Sequence, residues 1–167
     1  MDGMASDRQV LAQIEALYRE RFADFVAVAA SIVGEREAAR EAVQDAFAGI
    51  VRGRGDYRGD APLEAWVWRA VVNAARKKRR RFARDVPLRP AEHASNGSGG
   101  LDEPATELAV LVAALPERQR LMLFLRYYAD LDYRRIAQIL GVEVGTVSAT
   151  LHAARRALRR ALEEVRG

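Results

Sequence analysis

The sequence predicts an all-α fold: two small helical domains, an N-terminal three- to four-helix bundle and a C-terminal helix-turn-helix domain, joined by a flexible linker. Three observations predict it. Apolar residues recur every three or four positions over most of the 167 residues, the spacing of helix faces that meet a core. That rhythm fails from about Phe82 to Glu103, where Pro87, Pro90 and the run ASNGSGG argue for a connector. Finally, Asp132 to Leu162 carries the punctuation of a helix-turn-helix that ends in a long basic helix. The expected divisions are residues 8–82 for the first domain, 83–103 for the linker and 104–167 for the second domain.

The elements follow in order. Val10, Leu11, Ile14, Leu17, Tyr18, Phe22, Phe25, Val26, Ala29 and Ile32 form one stripe and predict a long first helix ending near Gly34. A second helix is expected from about Arg36 to Val51. The glycine-rich stretch GRGDYRGDAP then breaks the pattern, with Tyr57 and Arg58 at its centre. Pro62 suits a first helical turn and opens a third helix carrying Leu63, Trp66, Val67, Ala70, Val71 and Ala74. Trp66 and Trp68 lie two residues apart and cannot both face a core. Trp66 fits the stripe and is assigned to the interior; Trp68 is left open between the interior and a contact with DNA or a partner. Beyond the connector, Ala105, Leu108, Leu111, Val112 and Leu115 begin a new stripe, which restarts at Pro116 and continues through Leu121, Phe124 and Leu125.

In the helix-turn-helix, the Asp132 carboxylate can cap the first turn of a short helix on which Ile136 and Leu140 share a face. Ala137 beside them allows a second helix to cross closely. Gly141 suits the left-handed position that stops a helix. After Val142 and Glu143, the residues Val147, Leu151, Ala154 and Leu158 form a buried stripe and leave Thr146, Ser148, Ala149 and His152 outward. In this motif the start of the second helix enters the major groove. The alternative is a plain helical hairpin with solvated charges.

The net charge is a modest +4, but its distribution is uneven. Arg76 to Arg81 is RKKRRR, and Arg155, Arg156, Arg159 and Arg160 form a second cationic cluster, whereas Glu35, Glu37, Glu41 and Asp45 gather negative charge. Such separation suits a polyanion on one surface and a protein partner on another. The chain has no cysteine and two histidines, His93 and His152, which excludes disulfides and thiolate sites and leaves little for a metal centre or catalytic triad. No catalytic residue, metal ligand or cofactor is assigned. No long apolar run and no signal pattern occur, so the expectation is a cytoplasmic protein without membrane insertion.

Two motif sets carry a family resemblance. LPERQRLMLFLRYYADLDYRRIAQILGVEVGTV, from Leu115 to Val147, resembles the promoter-reading fourth region of bacterial RNA polymerase sigma factors of the extracytoplasmic-function (ECF) type. EAVQDAF at 41–47, YRGDAPLEAWVWRAVVNAAR at 57–76 and the basic run after it resemble that family's second region. The resemblance implies a sigma factor that binds core RNA polymerase, recognises minus-ten and minus-thirty-five promoter elements, and aids DNA melting. Its partners would be core polymerase, duplex and single-stranded promoter DNA, and an anti-sigma factor.

The resemblance also distributes roles. Glu41, Gln44 and Asp45, with Phe47 as aromatic anchor or alternatively as core, would meet the coiled-coil clamp of the polymerase's largest subunit. Tyr57, Arg58, Asp60 and Leu63 would surround a melted base of the minus-ten element. Asn73 would sit near the duplex edge, and Arg76, Lys77 and Arg80 would hold phosphates. Arg134, Thr146, Ser148, Ala149, Thr150, His152, Arg155 and Arg156 would address the minus-thirty-five duplex. Thr150 and Ala153, and often Ser148, stand where the family commonly carries basic residues, which shifts weight to Thr146, His152 and the arginines that follow. Gly49 and Val51 depart from the family pattern beside the clamp-binding segment.

Two other classes stay open at this level. One is a free-standing helix-turn-helix regulator whose first bundle dimerises or senses a ligand. The other is a helical hydrolase using the acidic pair Glu41 and Asp45, for which the sequence supplies neither oxyanion donor nor metal ligands.

Overall fold

The computed structural model describes residues 2–85 and 103–167, and all regular structure among them is helical. The central stretch of the expected linker, 86–102, lies outside the described residues. Both flanking helices reach into the ends of the assigned linker. The third runs to Asp85 and the fourth starts at Glu103. Helix-favouring Arg and Ala continue up to Asp85, and Pro104 is tolerated in a first turn, where its missing N–H is not needed.

Helix α1 spans Asp2–Val33, about 48 Å at 1.5 Å per residue. It starts well before the expected stripe and stops at Gly34, whose φ of 86° is a conformation that side chains resist. Helix α2, Arg36–Arg52, is opened by the Glu35 carboxylate, which accepts from the amides of Glu37 at 2.8 Å and Ala38 at 2.6 Å. These bonds satisfy two of the donors that a helix start leaves free. The small buried residues Ala38, Ala39, Ala42 and Ala46 let α2 approach α1 and α3 closely. A single 3-10 turn, Arg54–Asp56, leads into the loop before helix α3, Leu63–Asp85. Pro62 precedes the helix, and its carbonyl accepts from the Trp66 amide at 3.2 Å.

An aromatic chain links the three helices. Tyr18 lies 4.9 Å from Phe47, Phe47 5.2 Å from Phe25, and Phe25 4.3 Å from Trp68, ring centre to ring centre. Each such pair adds about 0.5–1.5 kcal/mol beyond its area burial. This arrangement corrects the expectation for Trp66 and decides the open one for Trp68. Trp68 is fully buried, whereas Trp66 is half-buried at the surface against Tyr57. The physical reason is that α3 packs against both α1 and α2, so its buried face is wide and centres on Trp68, Val71, Val72 and Ala75. The expected stripe through Ala70 and Ala74 is its half-buried edge.

The second bundle holds helix α4, Glu103–Ala113, helix α5, Glu117–Tyr127, helix α6, Tyr133–Leu140, and helix α7, Val144–Arg166. Leu121, Met122, Leu123 and Leu125 anchor α5, which packs against α6 and α7. Asp130, with φ 52°, makes the turn out of α5, and the Leu131 amide closes it on the Leu125 carbonyl at 3.1 Å. The two bundles touch: α1 packs on α5 and α3 on α6, and their buried apolar residues form one continuous cluster.

Candidate nucleic-acid interface

Local sequence fixes the reading head. The Asp132 carboxylate accepts from the Arg135 amide at 2.8 Å and starts α6. At the other end Gly141 has φ 65° and ψ 41°, and the amides of Gly141 and Val142 both return to the Ala137 carbonyl. Ile136, Ala137 and Ile139 are buried there; Ile139, not Leu140, carries the second contact, and Leu140 is half-buried. The start of α7 has no side-chain cap at Glu143, whose carbonyl accepts from the amides of Thr146 at 3.0 Å and Val147 at 3.2 Å. First-turn amides and the positive end of the helix dipole therefore face outward, an arrangement suited to phosphate.

Val147, Leu151 and Ala154 are fully buried beneath α7, as the stripe predicts, while Leu158 is half-buried. Ser148, Ala149, His152, Ala153 and Arg156 are exposed, and Thr146 and Thr150 are half-buried. Arg134 is exposed at the start of α6. Arg155 is held in place: its guanidinium donates to the Tyr133 hydroxyl at 3.0 Å and to the Leu151 carbonyl at 3.2 Å. The bond to Tyr133 pushes the Arg155 pKa above its ordinary value. Tyr133 was not among the expected site residues. Its partner lies 22 positions away, too far for any local pattern to reveal the pair.

In the first bundle, Gly59 takes φ 78° and turns the chain between Tyr57 and Leu63. The Tyr57 hydroxyl donates to the Ala61 carbonyl at 2.7 Å, and its ring lies 5.4 Å from Trp66. Arg58 and Asp60 are exposed. Leu63 does not belong to this surface: it is 9% exposed and closes the core, because the first turn of α3 must turn its apolar residue inward. Asn73, Lys77 and Arg80 are exposed and Arg76 half-buried, and their spacing aligns all four along one face of α3.

Helical periodicity divides the six-residue cationic run. Lys78 turns toward α2 and sits 2.6 Å from the Glu41 carboxylate, and Arg79 donates to the Val33 carbonyl at 3.3 Å. These two cations thus serve the first bundle, and Arg76 lies 3.6 Å from the Glu117 carboxylate of α5. Gln44 and Asp45 are exposed on α2. Phe47 is 6% exposed within the aromatic chain, so it cannot anchor a partner and instead sets the position of α2. Between these surfaces runs a groove of about 340 Å³, lined by Asp45, Gly49 and Ile50 of α2 and by Trp66, Arg69 and Asn73 of α3. Gly49 and Trp66 meet across it only once α2 and α3 have docked, so no local pattern reveals the groove.

Residues 17–85 match the sigma-70 region 2 family and residues 105–158 the sigma-70, region 4 family. The RNA polymerase sigma-H factor of Pseudomonas aeruginosa is 30% identical over 147 residues, which cover 78% of this chain and 76% of that protein. The ECF RNA polymerase sigma-E factor of Escherichia coli strain K12 is 33% identical over 135 residues, covering 71% of this chain and 70% of that protein. The chain belongs to the ECF group of sigma-70 factors.

This sigma factor directs promoter-specific transcription initiation. Its fold matches that of the sigma factor RpoE in complex with the anti-sigma factor NepR from Bartonella quintana, with TM-score 0.69 and 21% identity over 89% of this chain and 98% of that one. CnrH in complex with the cytosolic domain of CnrY gives TM-score 0.68 and 22% identity over 95% and 97%. Among the described residues, no helix is long and apolar enough to cross a membrane, and no three His, Cys, Asp or Glu side chains gather as a metal site.

Proposed function

We propose a division of labour among three surfaces of this sigma factor. Glu41, Gln44 and Asp45 on α2 meet the clamp of the polymerase's largest subunit. Tyr57, Arg58 and Asp60, with Asn73, Arg76, Lys77 and Arg80 on α3, take the minus-ten element as it opens. Thr146, Ser148, Ala149, Thr150 and His152 enter the major groove of the minus-thirty-five element, with Arg134, Arg155 and Arg156 on its phosphates. The functional units are residues 8–82 and 104–167, joined by 83–103. The protein works in the cytoplasm without covalent chemistry of its own, and an anti-sigma factor restrains it, as in the complexes of RpoE with NepR and of CnrH with CnrY.

One observation carries the reading: a cationic and amide line on α3, Asn73 to Arg80, sits beside the half-exposed Trp66 and Tyr57. Opened bases need aromatic faces and their backbone needs cations, and this surface offers both. A duplex-only regulator has no use for it. The deciding experiment is transcription in vitro with core polymerase on fragments upstream of RNA starts that appear when the protein is overproduced. Promoter-specific initiation that depends on the added protein is expected. Tight palindromic duplex binding by the protein alone, with no core-dependent initiation, would favour the free-standing regulator.

A further inference from the structure

Helix α1 continues past the core that accounts for the rest of it. Among the described side chains its first fully buried one is Ile14, and Asp7 lies two turns earlier, about 10 Å along the axis. Asp7, Val10 and Ile14 are spaced by three and four positions on one face, so the half-buried Asp7 looks toward the bundle. There it meets the 3-10 turn: Arg54 Nε lies 3.0 Å from Asp7 Oδ1 and 3.1 Å from Oδ2. The same guanidinium donates through Nη1 to the Val51 carbonyl at 2.7 Å, an acceptor in the last turn of α2 that has no donor within its helix. One arginine thus ties the start of α1 to the end of α2 and to the turn that follows. That turn leads into the loop assigned to the opened strand. The Asp56 amide donates to the Gly53 carbonyl at 2.9 Å and the Tyr57 amide to the Arg54 carbonyl at 3.2 Å, so the Arg54 backbone sets where Tyr57 begins. Tyr57 is then fixed by its bond to Ala61 and its ring contact with Trp66. The match to region 2 begins at residue 17, so Asp7 comes from a segment the family likeness does not cover.

We propose that Asp7 and Arg54 are positioning residues: the start of α1 braces the loop carrying Tyr57 and Arg58 in the form that receives the opened minus-ten strand. A loop left free would have to be ordered while the strand is captured, at a cost in conformational entropy. The brace removes that step from promoter opening. Its consequence for DNA rests on the assignment of this loop made above; the brace itself rests on the contacts alone.

Hydrogen exchange of the full chain, followed by NMR, reads the brace directly. With 32% of the Arg54 side chain and 40% of that of Asp7 exposed, the pair is partly screened, and its loss should raise local opening roughly two- to fivefold. In Asp7→Asn the amides of Asp56 and Tyr57 should exchange faster by that factor, while those of Val71 and Val72 in the core of α3 keep their rates. Asp7→Asn combined with Arg54→Gln should exchange no faster than Arg54→Gln alone, because both act through one contact. Glu15→Gln removes the same charge from α1 at an exposed site paired only with Arg19, and should leave the loop amides unchanged. With core polymerase, on a promoter mapped from the RNA starts described above, Asp7→Asn should slow open-complex formation roughly two- to fivefold without changing affinity for core.

Loop exchange that is unchanged in Asp7→Asn, or raised equally by Glu15→Gln, overturns the brace. Faster exchange with an unchanged rate of opening overturns its role in strand capture. Failure of the loop assignment would appear instead as absent core-dependent transcription with the parent protein, which leaves the exchange measurements untouched.

Discussion

Two glycines four positions apart in the reading head should respond to alanine with opposite signs. Gly141 ends α6 at φ 65°, and an added Cβ would meet nothing within 4 Å. The cost of Gly141→Ala is therefore purely conformational, about 1–2 kcal/mol for a left-handed alanine. Gly145 lies in the first turn of α7, outside the left-handed region, and its added Cβ also meets nothing within 4 Å. There alanine removes freedom from the unfolded chain and should stabilise by about 0.5 kcal/mol. For a bundle of this size each kcal/mol moves the midpoint by about 4–8 °C. Scanning calorimetry of the full chain should show the transition of the second bundle about 4–16 °C lower in Gly141→Ala and about 2–4 °C higher in Gly145→Ala. Gly141→Asn should lose less than alanine, because asparagine tolerates the left-handed region. Shifts of the same sign at both glycines, or an unchanged Gly141→Ala, would refute the assignment of Gly141 as a conformational stop.

Other outcomes follow from the packing. Trp68→Ala should cost about 3–5 kcal/mol in urea unfolding, as for a fully buried aromatic, while Trp66→Ala costs about 1 kcal/mol and chiefly slows open-complex formation, scored by permanganate footprinting. Phe47→Ala should destabilise the first bundle by about 3–5 kcal/mol, whereas Gln44→Ala and Asp45→Ala should weaken core polymerase binding, measured by fluorescence anisotropy, with unfolding within about 0.5 kcal/mol of the parent. Lys77→Ala and Arg80→Ala should each flatten the salt dependence of single-strand binding by about 0.7 in the logarithmic slope, and Lys78→Ala should leave it near its parent value because that cation faces Glu41. Asp132→Ala should lower second-bundle stability by about 1 kcal/mol through loss of the α6 cap.

Much of this was legible where local chemistry decides. The Asp132 cap, the Gly141 stop and the stripe of Val147, Leu151 and Ala154 depend on residues a few positions apart, and the structure contains all of them. Trp66 does not lie in the interior, and Trp68 stayed open, because a single stripe cannot describe a helix that packs against two neighbours. Resemblance sets Leu63 beside the melted base and leaves Phe47 open between anchor and core, whereas the size and apolarity of both suit the interior they occupy. Tyr133 beside Arg155 and Lys78 beside Glu41 were illegible for a different reason: those pairs form only once successive helices have docked at a particular angle. Arg21, Arg69 and Arg120 belong to the same class, since they donate across the bundles to the backbone carbonyls of Ala129, Gln138 and Ser31, which no side-chain pattern records.

The placement of the tryptophans gives the protein an optical asymmetry. Both of its indoles lie in the first bundle, Trp68 sealed in the core and Trp66 open at the groove, while the second bundle has none. Trp68 should emit to the blue and resist acrylamide, whereas Trp66 emits to the red and is quenched when bases stack on it. A Trp66→Phe protein then reports the integrity of the first core, and a Trp68→Phe protein reports strand capture. Capture of an opened strand by the protein alone becomes visible without any attached dye, in the half of the molecule where it is proposed to occur.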